Sequence, residues 1–474
     1  MTTAIQYTSI IGLCTAVLLS LGLSPLLATD PTAKKIDALM QRQIESRRIP
    51  GASIAVVQEG KLLFANGYGL ANIELQVAAT KNTVYELASV TKQFTAMATM
   101  MLIEQGKLSL EDRVTTIVEG LPESWSTINI RHLLNHTSGI KSYTSIPNFF
   151  ATAQMDYNGH QIIGLVADLP LEFAPGDKHN YSNTGYFLLG MVIEAVSGQT
   201  YGQFVAERIF QPLGMVSTHM NNRSLIIPDR ADGYQLKGLQ LQNATPVSPT
   251  QPYAAGGLVT TVLDLARWDK ALNKKRLLKH SSYDAMWTPA VLNDAQTHPY
   301  GFGWRLDPYR GQERLHHSGG IPGFSTYIEQ FVKEDLAIIV LTNLDKAAAD
   351  HIAHSIAELY LPVLTANGPQ PIEDTASDIT AFLRQVISAA SHGEGKPEWF
   401  SEKWQKFFLP DRVKEGKHML GMFGELNSFK LMQDKVIKGR RMREYEAEFG
   451  TVKINCSFKL TEDGKVDGIS IKKQ

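Results

Sequence analysis

The chain has 474 residues, of which 43% are hydrophobic and 20% charged, with a formal net charge of −1. That composition belongs to a folded globular protein, not a disordered or fibrous one, and the length favours two cores over one. So small a net charge supplies no long-range field for nucleic acid or an anionic membrane surface, and no nucleic-acid partner is expected.

Residues 9–28, SIIGLCTAVLLSLGLSPLLA, form the one long apolar run, followed by polar TDPTAKK. The pattern is that of a secretory signal peptide over 1–28, so a periplasmic or extracellular location is expected. No Lys or Arg precedes the run, and an uncleaved membrane anchor is the competing reading, the only one in which a membrane is a partner. After cleavage Cys456 would be the sole cysteine, so packed cores rather than a disulfide must hold the fold.

Ile36, Leu39, Met40 and Ile44 share one face of a predicted helix. The stretch PGASIAVVQEGKLLFANGYG then predicts a hairpin, with strands over 52–57 and from Leu62. From about Val90 to Gly198 the signals are mostly helical. TAMATMMLIEQG stops at Gly106, and YSNTGYFLLGMVIEAVSG closes on Gly198. Thr261 precedes VLDLARW as a helix cap, three residues before Asp264. Strand signals return in ERLHHSG, STYIEQFV and LAIIVLTN, and a helix from about Ala347 to Tyr360 follows. This order predicts an α/β (α+β) fold, with one antiparallel sheet assembled from both ends of the domain and flanked by helices.

The segment 365–377, TANGPQPIEDTAS, has the composition of a linker. Beyond it, 378–474 predicts a small α+β domain. VKINCSFKL alternates strictly, with Val452, Ile454, Cys456, Phe458 and Leu460 on one face, and TEDGKV turns into DGISI.

Walker, dinucleotide-glycine, His-Glu-x-x-His and Gly-x-Ser-x-Gly patterns are all missing from the sequence. His351 and His354 are helix neighbours without a carboxylate-rich partner segment, which reads as an exposed helix face, and His132 and His136 are ambiguous. No metal and no cofactor are expected. Three motifs remain: Ser89-x-x-Lys92, Tyr181-Ser182-Asn183 and His317-Ser318-Gly319. Ser-x-x-Lys also occurs at Ser138/Lys141 and Ser470/Lys473, so its spacing alone decides nothing.

Ser89 sits near a predicted helix N-terminus, where free N–H groups favour developing negative charge. Lys92, at i+3, projects from the same face and can reach the serine hydroxyl. At an ordinary pKa near 10.4, only about one lysine in 2,500 is neutral at pH 7; burial would raise that fraction. Lys92 could then take the serine proton, or a charged Lys92 could hold Tyr181 as phenolate and make tyrosine the base. Asn183 can orient Lys92 and grip a substrate amide. The strand through His317, Gly319 and Gly320 can lie against a substrate backbone, with its N–H paired to that of Ser89 as an oxyanion hole and Ser318 reaching a substrate carboxylate.

At these residues the chain resembles the serine β-lactamase and penicillin-recognising superfamily, and within it the class C β-lactamase, D-alanyl-D-alanine carboxypeptidase and esterase branch. The stretches IRHLLNHTSGI, PGDKHNYSNTGY, AAGGLVTTVLDLARW and YGFGWRL are also similar to that family, and the likeness covers 33–364. It implies a β-lactamase/transpeptidase-like domain with a helical subdomain, and acylation of Ser89 with Lys92 and Tyr181 moving protons. The N–H groups of Ser89 and Gly320 would hold the oxyanion. His317 stands where many class C β-lactamases carry lysine, so a permanent cation is not assured there; Arg305 could supply one. The expected substrate is a small molecule or peptide with an amide or ester bond, in a D-alanyl-D-alanine carboxypeptidase-like or peptidase/esterase role. A class C-like β-lactamase and a non-turnover penicillin-binding sensor are the alternatives.

Overall fold

In the computed structural model, helix α1 (Pro31–Arg47) leads into β1 (Gly51–Gln58), β2 (Lys61–Asn72) and the short β3 (Val77–Ala78). Residues 31–473 are described, apart from positions 239, 369, 410, 438 and 451. The expected signal segment lies outside the described residues. Helices α2 (Thr91–Glu104), α3 (Asn183–Ser197) and α4 (Val262–Asn273) occupy the middle of the chain. Strands β4 (Arg314–Ile321), β5 (Phe324–Phe331) and β6 (Leu336–Thr342) then complete one sheet, in the order β4-β5-β6-β1-β2-β3. Its centre is the antiparallel pairing of β1 with β6, from Ala52 opposite Thr342 to Gln58 opposite Leu336.

The nearly continuous apolar character of these two strands, broken in the buried part of β1 only by Ser53, follows from burial on both faces. Ala55, Val57, Ala337, Ile339 and Leu341 face the core shared with the middle helices. Ile54, Val56, Ile338 and Val340 face a second core, closed by Ile36 and Met40 of α1 and by Ile352 and Ile356 of α5 (Ala349–Tyr360). Gly198 ends α3 at φ +71°, and the Thr261 hydroxyl caps α4 by accepting from Asp264 N–H.

After the short helix Pro362–Ala366, helix resumes in α6 (Ser377–His392). Strands β7 (Leu426–Ile437), β8 (Arg440–Phe449), β9 (Val452–Leu460) and β10 (Val466–Lys473) form an antiparallel sheet in sequence order. Leu383, Val386 and Ile387 of α6 join a core with Ile454, Cys456, Phe458 and Leu460, while Val452 packs at its margin. Cys456 is a buried free thiol whose pKa is pushed up to about 12 by desolvation.

Asn343 ties the halves of the first sheet. Fully buried at the end of β6, it accepts from Gly51 N–H (2.6 Å) and donates to the carbonyls of Leu70 (3.0 Å) and Ala71 (3.2 Å). Asn343→Leu strips a partner from the Gly51 N–H and from the Leu70 carbonyl, each worth about 1–3 kcal/mol when left unpaired, while the Ala71 carbonyl still accepts from Asp232 N–H (3.0 Å). Thermal melting is expected to show a loss of roughly 2 kcal/mol or more; an unchanged Tm contradicts the clamp.

Candidate active site

The chain approaches the site along Tyr85–Glu86, paired with Val259 and Thr260, and then tightens into a 3-10 turn over Ala88–Val90 before α2 begins. Ala88 holds φ +49°, a left-handed conformation that alanine adopts only under constraint. The turn buries Ala88 and Val90 and leaves Ser89 half-exposed between them.

One turn on, Lys92 is fully buried. Its Nζ lies 3.1 Å from Ser89 Oγ, 2.8 Å from Asn183 Oδ1 and 2.6 Å from the Ala255 carbonyl oxygen. Three separate elements thus meet at one nitrogen: α2, the first residue of α3, and the short helix Tyr253–Gly256. Asn183 is itself held, donating from Nδ2 to Thr144 Oγ1 (2.9 Å) and from its backbone to Ser142 Oγ (3.1 Å).

No described carboxylate pairs with Lys92, so nothing offsets its desolvation, and burial drives its pKa well below the usual 10.5. Asn183 Oδ1 and the Ala255 carbonyl can only accept. A neutral amine gives its two protons to them and turns its lone pair toward the Ser89 hydroxyl. That is the geometry of a general base one hydrogen bond from a nucleophile.

Tyr181 is brought beside both groups. Lys92 Nζ stands 4.8 Å from its ring centroid. Its hydroxyl is buried and completes no hydrogen bond of normal geometry among the described residues, although Ser89 stands near enough to draw its pKa down. Burial outweighs that effect and raises the phenol far above 10, so the free site favours the neutral phenol over the phenolate.

The His317 ring is turned into the protein. It is buried in β4, with Nδ1 donating to the Ser318 carbonyl (2.7 Å) and Nε2 accepting from the Tyr300 hydroxyl (3.0 Å). Both nitrogens are engaged inside the protein, and burial holds the imidazole neutral. Its link to the site runs through the strand and through Tyr300. The permanent charge lies instead on Arg305, whose guanidinium carbon is 6.0 Å from the ring centroids of both Tyr181 and Tyr300. Arg305 is tied by its backbone to His316, at the start of β4.

β4 is the sheet's edge strand, and past His316, whose outer N–H and carbonyl pair with Arg305, its outer edge meets no further strand among the described residues. Ser318 and Gly320 are exposed on it, and Gly320 lines a cavity of about 190 Å³ together with Ser89 and Asn183. Gly319 is where the strand touches the turn that carries Ser89. A Cβ there would lie 2.3 Å from the Leu87 carbonyl oxygen and 3.2 Å from Ala88 Cβ. A larger cavity, about 1060 Å³ against Met191, Glu194 and Tyr253, is lined by none of the expected site residues.

Sequence reasoning left three contributors without a role: His136, Ala255 and Tyr300. Each lies in or beside a stretch quoted above for its family likeness, which is the signal that pointed to them. His136 brackets Tyr181. Its carbonyl accepts from Asn180 N–H (2.9 Å), its Nδ1 accepts from Ser182 N–H (3.1 Å), and its ring lies 4.2 Å from the tyrosine ring. His132, by contrast, is half of a capping box with Asn129. His354 is not on an exposed face: its ring stacks on Tyr309 at 4.1 Å and its Nε2 accepts from Arg314 (2.6 Å), because α5 packs against the sheet.

With that geometry in view, the comparisons with known proteins are direct. The Beta-lactamase family matches residues 36–361. The chain belongs to the beta-lactamase family. It is 33% identical over 351 residues to "Penicillin-binding protein 4*" of Bacillus subtilis (strain 168), covering 67% of this chain and 75% of that one. The octameric penicillin-binding protein homologue from Pyrococcus abyssi shares the fold over 93% of this chain and 98% of its own, at TM-score 0.65 and 22% identity. D-amino acid amidase from Ochrobactrum anthropi SV3 matches at TM-score 0.61 and 25% identity over 71% of this chain and 98% of its own. The chain is a serine hydrolase of β-lactamase/transpeptidase-like fold, related to penicillin-binding proteins and D-amino acid amidases.

The bracket around Tyr181 generates a prediction. His136 has φ +61°, which asparagine tolerates better than leucine, and an asparagine Oδ1 can accept in place of Nδ1. His136→Leu is expected to lower kcat about 100-fold with KM little changed, as misplacement of a reacting group does. His136→Asn should recover a substantial part. Equal losses in the two variants, tracking their melting temperatures, would reduce His136 to a packing residue.

Proposed function

We propose that this protein is an exported hydrolase that cleaves amide or ester bonds through an acyl-enzyme on Ser89. In this reading neutral Lys92 takes the hydroxyl proton as Ser89 attacks the carbonyl. The N–H groups of Ser89 and Gly320 hold the oxyanion, and Tyr181 relays the proton to the departing group. Water then releases the acyl group. The single observation that carries the reading is the Lys92 amine, buried without a counter-ion and committed to two pure acceptors, with Ser89 as its third neighbour.

Arg305 supports recognition of a carboxylate or carbonyl on the leaving side, and the exposed Ser318 of β4 offers a further hydroxyl. A D-alanyl-D-alanine carboxypeptidase-like or D-amino acid amidase-like role fits this arrangement and the names of the relatives. Export rests on the apolar run over 9–28. Among the described residues, no helix is long and apolar enough to cross a membrane.

Labelled penicillin tests the nucleophile. Covalent label is expected on Ser89 and nowhere in Ser89→Ala, which should also lose hydrolysis of every responsive amide or ester. Full activity in Ser89→Ala refutes the assignment. A long-lived label supports the peptidase role, and rapid release supports a β-lactamase.

The pH profile tests the base. Because the Lys92 pKa is lowered, kcat/KM should rise with pH through a group well below 10.5 as the amine loses its proton. Tyr181→Phe should lower the plateau about 100-fold and keep that acid limb. Disappearance of the limb would make the tyrosine the base.

A further inference from the structure

β4 is chemically polarised along its length. At its start, Arg305 is hydrogen-bonded through the backbone to His316, and Tyr181 lies 6.1 Å from His317 ring to ring. At its far end, Gly320, Ile321 and Pro322 line the cavity that opens at Ser89. Across that cavity stand Tyr143, Phe149, Phe150 and Val247, and none of its lining residues is charged. The nucleophile therefore sits between a cationic, hydrogen-bonding end and an apolar one.

The apolar end is displayed rather than packed away. Phe150 is 56% exposed, and Val247, Ile321 and Pro322 are partly exposed beside it. Beneath them Phe149 is buried, with its ring 5.3 Å from Phe150 and 5.2 Å from Tyr143, so the wall is braced from behind. Apolar surface held open to water beside a nucleophile gains free energy when an apolar group covers it. A charged group there would lose its water and find no partner.

Resting on the mechanism proposed above, this polarity orients the substrate. Tyr181 delivers the proton to the departing atom, so the leaving group lies at the cationic end and the acyl group at the apolar one. We infer that the acyl half of the substrate carries a bulky apolar side chain, aromatic or branched aliphatic, seated between the Phe149–Phe150 wall and Ile321–Pro322. The size agrees: the cavity is about 190 Å³, and an apolar cavity of about 150 Å³ takes up benzene.

The test is a matched series of aminoacyl p-nitroanilides and esters differing only in the acyl side chain: glycyl, alanyl, leucyl, phenylalanyl, glutamyl and lysyl, each chiral one as D and L. In the preferred enantiomer, kcat/KM for leucyl and phenylalanyl should exceed glycyl by about 10- to 100-fold, with glutamyl and lysyl no better than glycyl. Phe150→Ser, at an exposed position, should cut the phenylalanyl-to-glycyl ratio about tenfold with little change in Tm. A flat series, a preference for charged side chains, or a ratio unmoved by Phe150→Ser overturns the inference while leaving the hydrolase intact. Failure to cleave any member, with no penicillin label on Ser89, instead overturns the mechanism beneath it.

Discussion

A lysine amine sealed from water without a carboxylate is the constraint around which this active site is arranged. The buried cation is disfavoured, and the two acceptors that remain, Asn183 Oδ1 and the Ala255 carbonyl, suit a neutral amine as well as a charged one. What they dictate is direction. With two N–H vectors committed, the remaining tetrahedral position of the nitrogen points at Ser89. The lone pair is thus aimed by backbone and amide geometry, not by an ion pair that salt or pH could loosen.

That aim depends on large parts of the domain. α2 is buried from Thr91 to Leu102, which is why its sequence shows little amphipathic alternation and why Lys92 cannot reach solvent by a rotamer change. Ala255 is fixed through its neighbour Ala254, whose carbonyl accepts from Thr95 one turn along α2. Asn183 begins α3, whose start is pinned by Ser142 and Thr144 from a segment far upstream, before the helix Gly159–Ala167. Gly319 lets β4 come within contact of the turn that carries Ser89, an approach closed to any residue with a side chain. Sheet, helical layer and the Ser89 turn are therefore one mechanical unit.

Much of this was legible in the sequence, for identifiable reasons. The two-faced burial of β1 and β6 leaves runs such as ASIAVV and LAIIVL, and their separation by most of the domain implies a sheet closed from both ends. The strict alternation of VKINCSFKL marks a strand with one buried face, which β9 is. Ser89, Lys92, Tyr181 and Asn183, each in one of the motifs singled out above, lie together in space. What could not be read was the third neighbour of Lys92, because a backbone carbonyl has no sequence signature. Nor could the burial of His317 be read: a strand's period of two says that His316 and His317 face opposite ways, but not which face holds the cavity. His354 misled for a similar reason, since the helix that bears it packs its polar face on Arg314 and Glu329 of the sheet.

The fate of His317 also alters how the site divides its labour. A lysine at that place would carry a cation on the strand itself. Here the imidazole is neutral and spends both nitrogens on Ser318 and Tyr300, so it braces β4 and orients a phenol. Positive charge comes instead from Arg305, which reaches the Tyr181 and Tyr300 rings from a neighbouring segment hydrogen-bonded to β4. With the cation off the strand, the brace on β4 and the positive charge near Tyr181 are carried by different side chains. A neutral brace keeps the Lys92 amine free of one more nearby positive charge, while the arginine, carried on a half-exposed segment, can meet an incoming anion without sharing the amine's burial.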